Sequence, residues 1–467
     1  MRRPVRILLW ILTPVFTVAL MLGGLFFVFW RHFYPSPPKF SYPAAANALE
    51  AQRQDLDYFD KLIAMDRAFT PESRAEAERR VIALKALPAP LDGPHLLVAL
   101  MLIDALADNG HSKVSFGPGA TPKELPVRVQ LFSDGLYVMR AQEADRELLG
   151  GRVVAIDGMP IDSVMQRLET LRGGTQRWRA EYATVYVNVQ DLLYGLGIAK
   201  DMQHSTWTVA TSAGAIVTRT LGAYQPASDE PSPWVTRWYS SEPLAGLTDG
   251  WAAFEPDEPL PVTLTNFDNT FRRERLRGSC TMLVQFKSNT DEGKDRIGPF
   301  VRETEADMRQ DPPCNVILDM RFDDGGDYMN TYGFAKSLPN MIQQGGHIYV
   351  LTGPSTFSAG ITTVAWVKQA AGDRMSILGE PVGDRMAFYS EGNRGCLPNS
   401  KLCVAYRTGK HDYQYACTDL RDCFWLNYVY AARVKTLEPD ERIAQSFADW
   451  RAGRDPVFER AVALAGK

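Results

Sequence analysis

The chain has 467 residues, and usual domain sizes predict two or three folding units for that length. Hydrophobic residues make up 45% and charged residues 23% of the sequence, which is typical of a globular protein and excludes a largely disordered one. A formal net charge of -4 provides no basic surface for a polyanion. Nucleic acid is therefore not expected as a partner.

The N-terminus carries an uncharged apolar segment, Ile7 to Trp30, preceded by three arginines. As an α-helix it would be about 36 Å long, enough to cross a hydrocarbon core of about 30 Å. We predict that residues 1–35 are a cytoplasmic stub and transmembrane anchor and that the rest is exported to the periplasmic side of the cell membrane. A cleaved signal peptide is the alternative, because "YPAAANA" supplies small residues, but the run exceeds the usual apolar region of about 7–15 residues.

All six cysteines follow the anchor, which fits export to an oxidising compartment. The short spacings in "CLPNSKLC" and "CTDLRDC" favour local disulfides, whereas six reduced thiols would fit a body that is not exported. CxxC spacing and paired histidines at ligand spacing are both absent, so neither a metal nor another cofactor is expected. The disulfide candidates are Cys396 with Cys403, Cys417 with Cys423, and Cys280 and Cys314.

Two regions with different periodicity follow the anchor. Residues 40–124 have helical periods, and Thr70 with Pro71 forms a helix start in which threonine is the N-cap. His111 stands directly after the stop that ends this helical segment. Residues 125–221 change to short β runs with turns, and residues 222–279 form a connecting or covering segment without a periodic signal.

Residues 280–467 show the most regular pattern, in which strands such as "CTMLVQF", "NVILDMRF" and "HIYVL" alternate with helices. This alternation predicts an α/β domain with a mostly parallel sheet buried on both faces. Ligand chemistry in such a sheet belongs at the carboxyl ends of the strands. Two of those ends are followed by "DDGGDY" and by "TGPSTFSAG".

Ser358 is the candidate nucleophile in the second of these stretches. Ser355 and Thr356 lie in the turn before it. A hydroxyl at a helix N-terminus lies where free N–H groups stabilise an oxyanion. From local sequence alone, however, an N-cap is the more common role for such a serine, and a glycine pair such as Gly325–Gly326 more often forms a turn than an oxyanion hole.

Several motifs together resemble the serine peptidase family that includes the C-terminal processing (tail-specific) proteases, the tricorn core protease and the retinoid-binding repeat proteins of the eye. "DNGHSKVSF" resembles the D-G-H-T segment, "VILDMRFDDGGDY" resembles D-L-R-x-N-x-G-G, and "LTGPSTFSAG" resembles the T-x-S-A nucleophile segment. "DGLYVMRAQEADRELLGGRVVAIDGMPID" resembles the PDZ-like module of the family, and "LPNSKLCVAYRTG", "EPDERI" and "DWRAGRDPVFERAV" resemble its C-terminal strands and tail.

The resemblance implies a ββα-type, crotonase-like catalytic core over 280–467 and a PDZ-like module over 125–221. It also implies that Ser358 is the nucleophile and that the oxyanion hole is formed by the N–H of Ala359 and one from the Gly325–Gly326 pair.

The base departs from the tail-specific branch, which uses a lysine where this chain has "GEPVGDRMAF", with Asp384 and Arg385 at the matching place. Arginine stays protonated, so Arg385 cannot be that base. A tricorn-like arrangement implies that His111 is the general base, and the unperturbed pKa of histidine suits that role.

The orienting acid is left open between Glu391 and Asp412, which match no motif closely. Two further departures from the family pattern are Asp323 in place of asparagine and Gly360 in place of an acidic residue.

The leading hypothesis is a membrane-anchored, exported serine endopeptidase that acts on polypeptides through an acyl-enzyme on Ser358. A non-catalytic peptide- or lipid-binding protein on the same scaffold is the alternative, which the absent lysine supports. An esterase with a nucleophile elbow is disfavoured because G-x-S-x-G is absent. The sequence does not indicate an oligomeric state.

Overall fold

The computed structural model describes residues 3–227, 230, 239–244, 247 and 250–466, with side chains described from residue 16 onward. Parts of the predicted covering segment, residues 228–229, 231–238, 245–246 and 248–249, lie outside the described residues, as do residues 1–2 of the predicted cytoplasmic stub. The described chain is a mixed α/β protein, which confirms the predicted class.

The first helix, α1 (Arg3–Phe33), is a single long apolar helix. Its stretch Phe16–Phe33 is long and apolar enough to cross a membrane by length and composition. The last turn of the helix is built into the body of the protein. Phe33 is fully buried, its ring centroid is 5.1 Å from that of Phe424, and its carbonyl accepts a hydrogen bond from the Thr408 hydroxyl at 2.5 Å.

Three helices and a short strand follow: α2 (Ala48–Ile63), α3 (Pro71–Lys85), α4 (Gly93–Asp104) and β1 (Lys113–Ser115). The predicted start of α3 is confirmed, because the Thr70 side chain accepts a hydrogen bond from Ser73 N and Pro71 is the first helical residue. A short 3₁₀ turn extends α4 to Ala107, and Asp108 then takes a left-handed conformation with φ +46°. This stop positions His111 just before β1.

The next module is built on an antiparallel sheet with the order β2-β3-β4-β6-β7, to which β5 and β8 add at β4 and β3. Its apolar face packs into the same hydrophobic core as α2 and α4. The elements are β2 (Val127–Phe132), β3 (Gly135–Gln142), β4 (Arg152–Ile156), β5 (Met159–Pro160), α5 (Ile161–Glu169), α6 (Gln176–Tyr186), α7 (Gln190–Gly195), β6 (His204–Ala210), β7 (Ile216–Gly222) and β8 (Trp251–Ala253).

The C-terminal region contains a six-stranded sheet with the order β18-β13-β12-β11-β10-β9, in which every pairing is parallel except that of the edge strand β9. The central strands are buried along their whole length, as expected for strands covered by helices on both faces. The elements are β9 (Phe271–Arg275), β10 (Met282–Phe286), α8 (Ile297–Gln310), β11 (Val316–Asp319), α9 (Met329–Ser337), β12 (Ile348–Thr352), α10 (Ala359–Ala371), β13 (Met375–Gly379), β18 (Glu441–Arg442), α11 (Phe447–Arg451) and α12 (Pro456–Ala465).

Four further strands connect this core to the rest of the chain: β14 (Ala387–Ser390), β15 (Asn393–Cys396), β16 (Cys403–Tyr406) and β17 (Gly409–Asp412). Strand β16 pairs with both β15 and β1, and β14 pairs with β17. Because β1 begins two residues after His111, its pairing with β16 fixes the His111 segment against the C-terminal region.

All three predicted disulfide groups are present: Cys280–Cys314, Cys396–Cys403 and Cys417–Cys423. The two local bridges predicted from spacing are therefore confirmed. Cys396 and Cys403 are register partners in β15 and β16, so this bridge closes the hairpin between them.

Candidate active site

Ser358 lies between the end of β12 and the start of α10, at the carboxyl end of a central parallel strand. Its backbone has φ +51° and ψ -116°, a conformation that costs energy for a residue other than glycine and that clusters at functional sites. Its side chain makes no capping hydrogen bond with the described residues, and the residue is partly exposed. The helix-cap interpretation of Ser358 therefore has no support in its contacts.

The two other hydroxyl residues of this turn have structural contacts. The Ser355 hydroxyl is buried and donates to Glu181 Oε1 at 2.5 Å. The Thr356 hydroxyl donates to the carbonyl of Met320 at 2.8 Å and accepts from Gly353 N. Of the three candidates, Ser358 is the one whose hydroxyl is both accessible and uncommitted within the described part of the chain.

The Gly325–Gly326 pair follows β11, and Gly325 packs directly against Ser358, whereas Gly326 faces Asn289 and Thr290. Both glycines have positive φ, +111° and +130°. A Cβ at Gly325 would lie 2.6 Å from the Ser358 Cβ and 3.1 Å from Ala359 N, so no other residue fits there. The carbonyl of Gly325 accepts a hydrogen bond from Asn289 N at 2.7 Å, which holds the loop in place.

Two backbone N–H groups belong to residues that adjoin Ser358, namely Ala359, which follows it in the chain, and Gly325, which packs against it. Ala359 is the first residue of α10, so its N–H has no acceptor within the helix. The N–H of Gly325 donates to Asp323 Oδ1 at 3.0 Å. Of the predicted oxyanion residues, Ala359 and Gly325 thus adjoin Ser358, and the Gly325 N–H is bonded to a side chain of its own loop.

Asp323 is fully buried, and burial, with the nearby charge of Asp324, raises its pKa well above the ordinary value. The raised pKa favours the neutral carboxyl form, which is closer to the asparagine that the resembled family has at this place. The second departure has a steric cause, because a Cβ at Gly360 would lie 2.6 Å from the carbonyl oxygen of Asp323.

His111 lies between two aromatic rings, with centroids 4.4 Å from Phe357 and 4.9 Å from Phe388. Its carbonyl accepts a hydrogen bond from Arg407 Nε at 2.8 Å, and the carbonyl of the preceding Gly110 accepts from Arg172 at 2.8 Å. The main chain and the ring plane are therefore fixed. Neither ring nitrogen has a hydrogen-bond partner within the described part of the chain.

The pKa of His111 is held well below its ordinary value, first by burial and then by the positive charges of Arg407 and other nearby basic groups. The imidazole is consequently neutral at neutral pH. A neutral imidazole is the form that can accept a proton from a serine hydroxyl.

The structure places Asp384, which the sequence analysis did not consider as an acid, next to His111. Its Oδ2 is 3.9 Å from His111 Nδ1 and has no hydrogen-bond partner among the described residues. Burial raises the pKa of Asp384 to about 6. The available signal was its position, since Asp384 occupies the stretch where the family has its lysine, while the neighbouring Arg385 forms an ion pair with Asp108 at 2.6 Å.

The two acids that the sequence analysis named make other contacts. Glu391 Oε1 is 3.2 Å from His411 Nε2, and its Oε2 accepts from the Tyr34 hydroxyl at 2.5 Å. Asp412 Oδ1 accepts from the backbone N–H groups of Gln414 and Tyr415. The Glu391 side chain is separated from the His111 ring by His411 and Phe388, whose ring centroids are 5.2 Å apart, and Arg407 links the two residues only through their backbone carbonyls within the described part of the chain.

The comparisons with known proteins agree with this arrangement at the level of the fold. No family model matches the chain, and no curated protein matches it. Mature CPAF, solved as a complex with lactacystin, matches 90% of this chain and 98% of its own, with 12% identity and a TM-score of 0.56. The chain has the CPAF fold. A second structure of mature CPAF matches with 14% identity and the same TM-score.

The tail-specific protease-like fold predicted from the motifs is therefore confirmed for this chain. The photosystem II D1 C-terminal processing protease and the tricorn protease are also matched, with TM-scores of 0.35 and 0.38. Those two similarities are too weak to support a conclusion.

An open cavity of about 390 Å³ adjoins the His111 segment. Its walls are mostly apolar, and its charged lining residues are the bases Lys113 and Arg172 and the acids Glu124 and Glu230. Arg172 also holds the Gly110 carbonyl, so the cavity directly borders the loop that carries His111.

Proposed function

We propose that the chain is a serine peptidase that cleaves polypeptides through an acyl-enzyme on Ser358. The observation that carries this proposal is the strained backbone of Ser358 at the start of α10, with an uncommitted hydroxyl beside the N–H of Ala359 and the Gly325 loop. Similar strain and exposure characterise nucleophilic serines at strand-to-helix turns. The similarity of the fold to that of CPAF is consistent with this proposal.

In the proposed mechanism, Ser358 Oγ attacks a peptide carbonyl while His111 accepts the hydroxyl proton. The N–H groups of Ala359 and Gly325 donate to the oxyanion, which requires Gly325 N to exchange its bond from Asp323 Oδ1 to the substrate oxygen. His111 then gives the proton to the leaving amine, and water hydrolyses the ester by the same route. Asp384 orients His111 and stabilises the imidazolium that forms.

No hydrogen bond joins Ser358 to His111 among the described residues. Catalytic hydrogen bonds are often long without substrate and tighten in the complex. The same observation favours the second candidate function, a non-catalytic peptide- or lipid-binding protein that keeps the fold without the chemistry.

We also propose that α1 anchors the protein in the cell membrane, with the body on the periplasmic side and residues 125–221 as a PDZ-like module. The buried end of α1 supports retention of the anchor. Cleavage within "YPAAANA" would remove Phe33, which belongs to the core, together with Tyr34 and its hydrogen bond to Glu391.

The test of peptidase function is cleavage of an unfolded polypeptide by the full-length chain in detergent, with new N-termini identified by mass spectrometry. We expect discrete cleavage by the wild type and none by Ser358→Ala. If a well-folded wild type produces no new termini, or if Ser358→Ala cleaves equally, the peptidase proposal is wrong. Peptide binding without turnover would instead support the second candidate.

A further inference from the structure

We propose that the catalytic body lies directly on the bilayer through a second membrane contact, the 420–429 patch, formed by Leu420, Trp425, Tyr428 and Val429. This inference rests on the proposal that α1 spans the membrane. It adds that the body is not free to swing on its anchor but is held against the lipid surface by its own side chains.

The first observation is the packing of this segment on the membrane-proximal end of α1. The Phe29 ring centroid is 5.4 Å from that of Phe424 and 6.0 Å from that of Trp425. Trp425 also stacks on His32, with centroids 5.6 Å apart. Side chains that touch Phe29 and His32 lie at the depth where α1 leaves the hydrocarbon.

Polar contacts fix the same junction. His32 Nε2 lies 2.7 Å from the carbonyl oxygen of Arg421, and Arg67 donates to that oxygen at 2.7 Å. The indole N–H of Trp425 donates to the carbonyl of Leu420 at 2.8 Å. The Cys417–Cys423 bridge closes the loop that contains Leu420. The patch and the last turn of α1 therefore form one rigid unit.

The second observation is the exposure of apolar side chains on this unit. Leu420 is 63% exposed, Val429 67% and Tyr428 46%. Large apolar side chains clustered on a soluble surface indicate an interaction site rather than random exposure. The patch continues the exposed apolar surface of α1, where Trp30 is 51% exposed.

The residue types of the patch fit the membrane interface. Tryptophan and tyrosine concentrate where hydrocarbon meets headgroups, because each has an apolar ring and a polar group. Leucine and valine beside them insert into the acyl boundary, and the exposed Arg421 fits the headgroup layer. The occupant of this surface is thus a phospholipid bilayer, the surface that α1 itself enters.

The test is photo-crosslinking of the full-length chain in phosphatidylglycerol–phosphatidylcholine nanodiscs. Benzoylphenylalanine replaces Leu420 or Val429, and intact mass spectrometry detects a phospholipid adduct after illumination. Leu25, on the exposed face of α1 and 59% exposed, is the positive control, and Ile216, 63% exposed on strand β7, is the matched negative control. The readout does not require peptidase activity, so failure of the active-site proposal leaves it unaffected.

We expect a lipid adduct at positions 25, 420 and 429 and none at 216. An adduct at 25 without one at 420 and 429 would overturn the docked orientation while leaving the anchor intact. Absence of an adduct at 25 would overturn the anchor and the docking together. Equal adducts at 216 and 420 would show non-specific labelling of exposed positions and would also contradict the proposal.

Discussion

At the scale of single residues, the site depends on groups whose charge state is set by burial. Burial and nearby basic groups lower the pKa of His111 and so favour its neutral imidazole, and burial raises the pKa of Asp323 and so favours its neutral carboxyl group. Asp384, whose pKa is raised to about 6, is the acid of this group that ionises close to neutrality. We therefore expect the ionisation of Asp384 to contribute to the pH dependence of the chemistry.

We predict that kcat/KM rises with pH through an apparent pKa near 6, because ionised Asp384 is needed to stabilise the imidazolium of His111. Below that pH Asp384 is protonated, and the activity falls although His111 is still neutral. Asp384→Asn should lower kcat/KM by about 100-fold or more and remove this acid limb. The measurement is a pH profile from about pH 4.5 to 8, with Asp412→Asn as the control that keeps the limb. An unchanged limb in Asp384→Asn would contradict the assignment.

Asp323 gives a separate prediction about stability. Its pKa is raised in the folded state, so the unfolded chain loses its proton first, and the contribution of this residue to folding decreases as pH rises above its ordinary value of 3.8. Asp323→Asn keeps the acceptor for Gly325 N and removes this cost. We expect the variant to be more stable than wild type at neutral pH, with the difference shrinking towards acid pH, as measured by thermal unfolding. A difference independent of pH would show that Asp323 is not held neutral.

At the scale of elements, two loops and one helix start must meet for the site to form. The loop after β11 contacts the Ser358 turn with no space for a side chain at Gly325. The loop after β13 carries Asp384 against Gly110, where a Cβ would lie 2.7 Å from Asp384 Oδ2. Because Gly325 and Gly110 have no side chain, the Ser358 turn and the Asp384 loop can approach them closely.

Gly325→Ala tests the first of these contacts. The added methyl group would collide with Ser358 and would force a strained φ, so both the nucleophile and the oxyanion donor should move. We expect the rate of phosphonate labelling at Ser358 to fall by about 100-fold or more. The matched control is Gly333→Ala in α9, where no atom lies within 4 Å of the new Cβ and labelling should be unchanged. Equal labelling rates in wild type and Gly325→Ala would contradict a role of the Gly325 loop in the site.

The end of α1 gives the second element-scale prediction. Phe33, the last residue of α1, is fully buried against Phe424. Phe33→Ala should therefore reduce the free energy of unfolding by about 3–5 kcal/mol. Phe26, in the same helix, is 62% exposed, and Phe26→Ala should change it by less than about 0.5 kcal/mol. Thermal unfolding of both variants in the same detergent measures the contrast. Similar effects would mean that the helix is tethered to the body rather than built into it.

At the scale of the whole molecule, periodicity was sufficient to predict the alternating strands and helices of residues 280–467. Capping residues were sufficient to predict the helix that starts at Pro71. Those elements depend on local pattern and capping, which are readable from the sequence. The pairing of β1 with β16, more than 280 residues apart, leaves no local signal. The docking of α1 on Phe424 is likewise a tertiary contact that hydropathy alone does not indicate.

The site was predictable to the same extent. Ser358, His111 and the Gly325–Gly326 pair follow from motifs at strand and helix ends, and the structure brings Ser358 and Gly325 into contact. The sequence did not indicate that Asp384 lies beside His111, because no motif shows which histidine each buried acid reaches in space. Glu391 contacts His411 instead, and the Phe388 ring lies between His411 and His111. Which histidine the acid reaches therefore depends on the order of the stacked rings, which sequence spacing does not indicate.

The most direct test of the central claim is labelling of the full-length chain with a peptidyl phosphonate, followed by peptide mapping. We predict a single adduct on Ser358, slowed at least about 100-fold in His111→Ala and unchanged in His204→Ala, which removes an exposed histidine at the start of β6. No adduct on well-folded wild type, an adduct on Ser355 or Thr356 instead, or a rate that His111→Ala leaves unaltered would contradict the proposed Ser358–His111 mechanism.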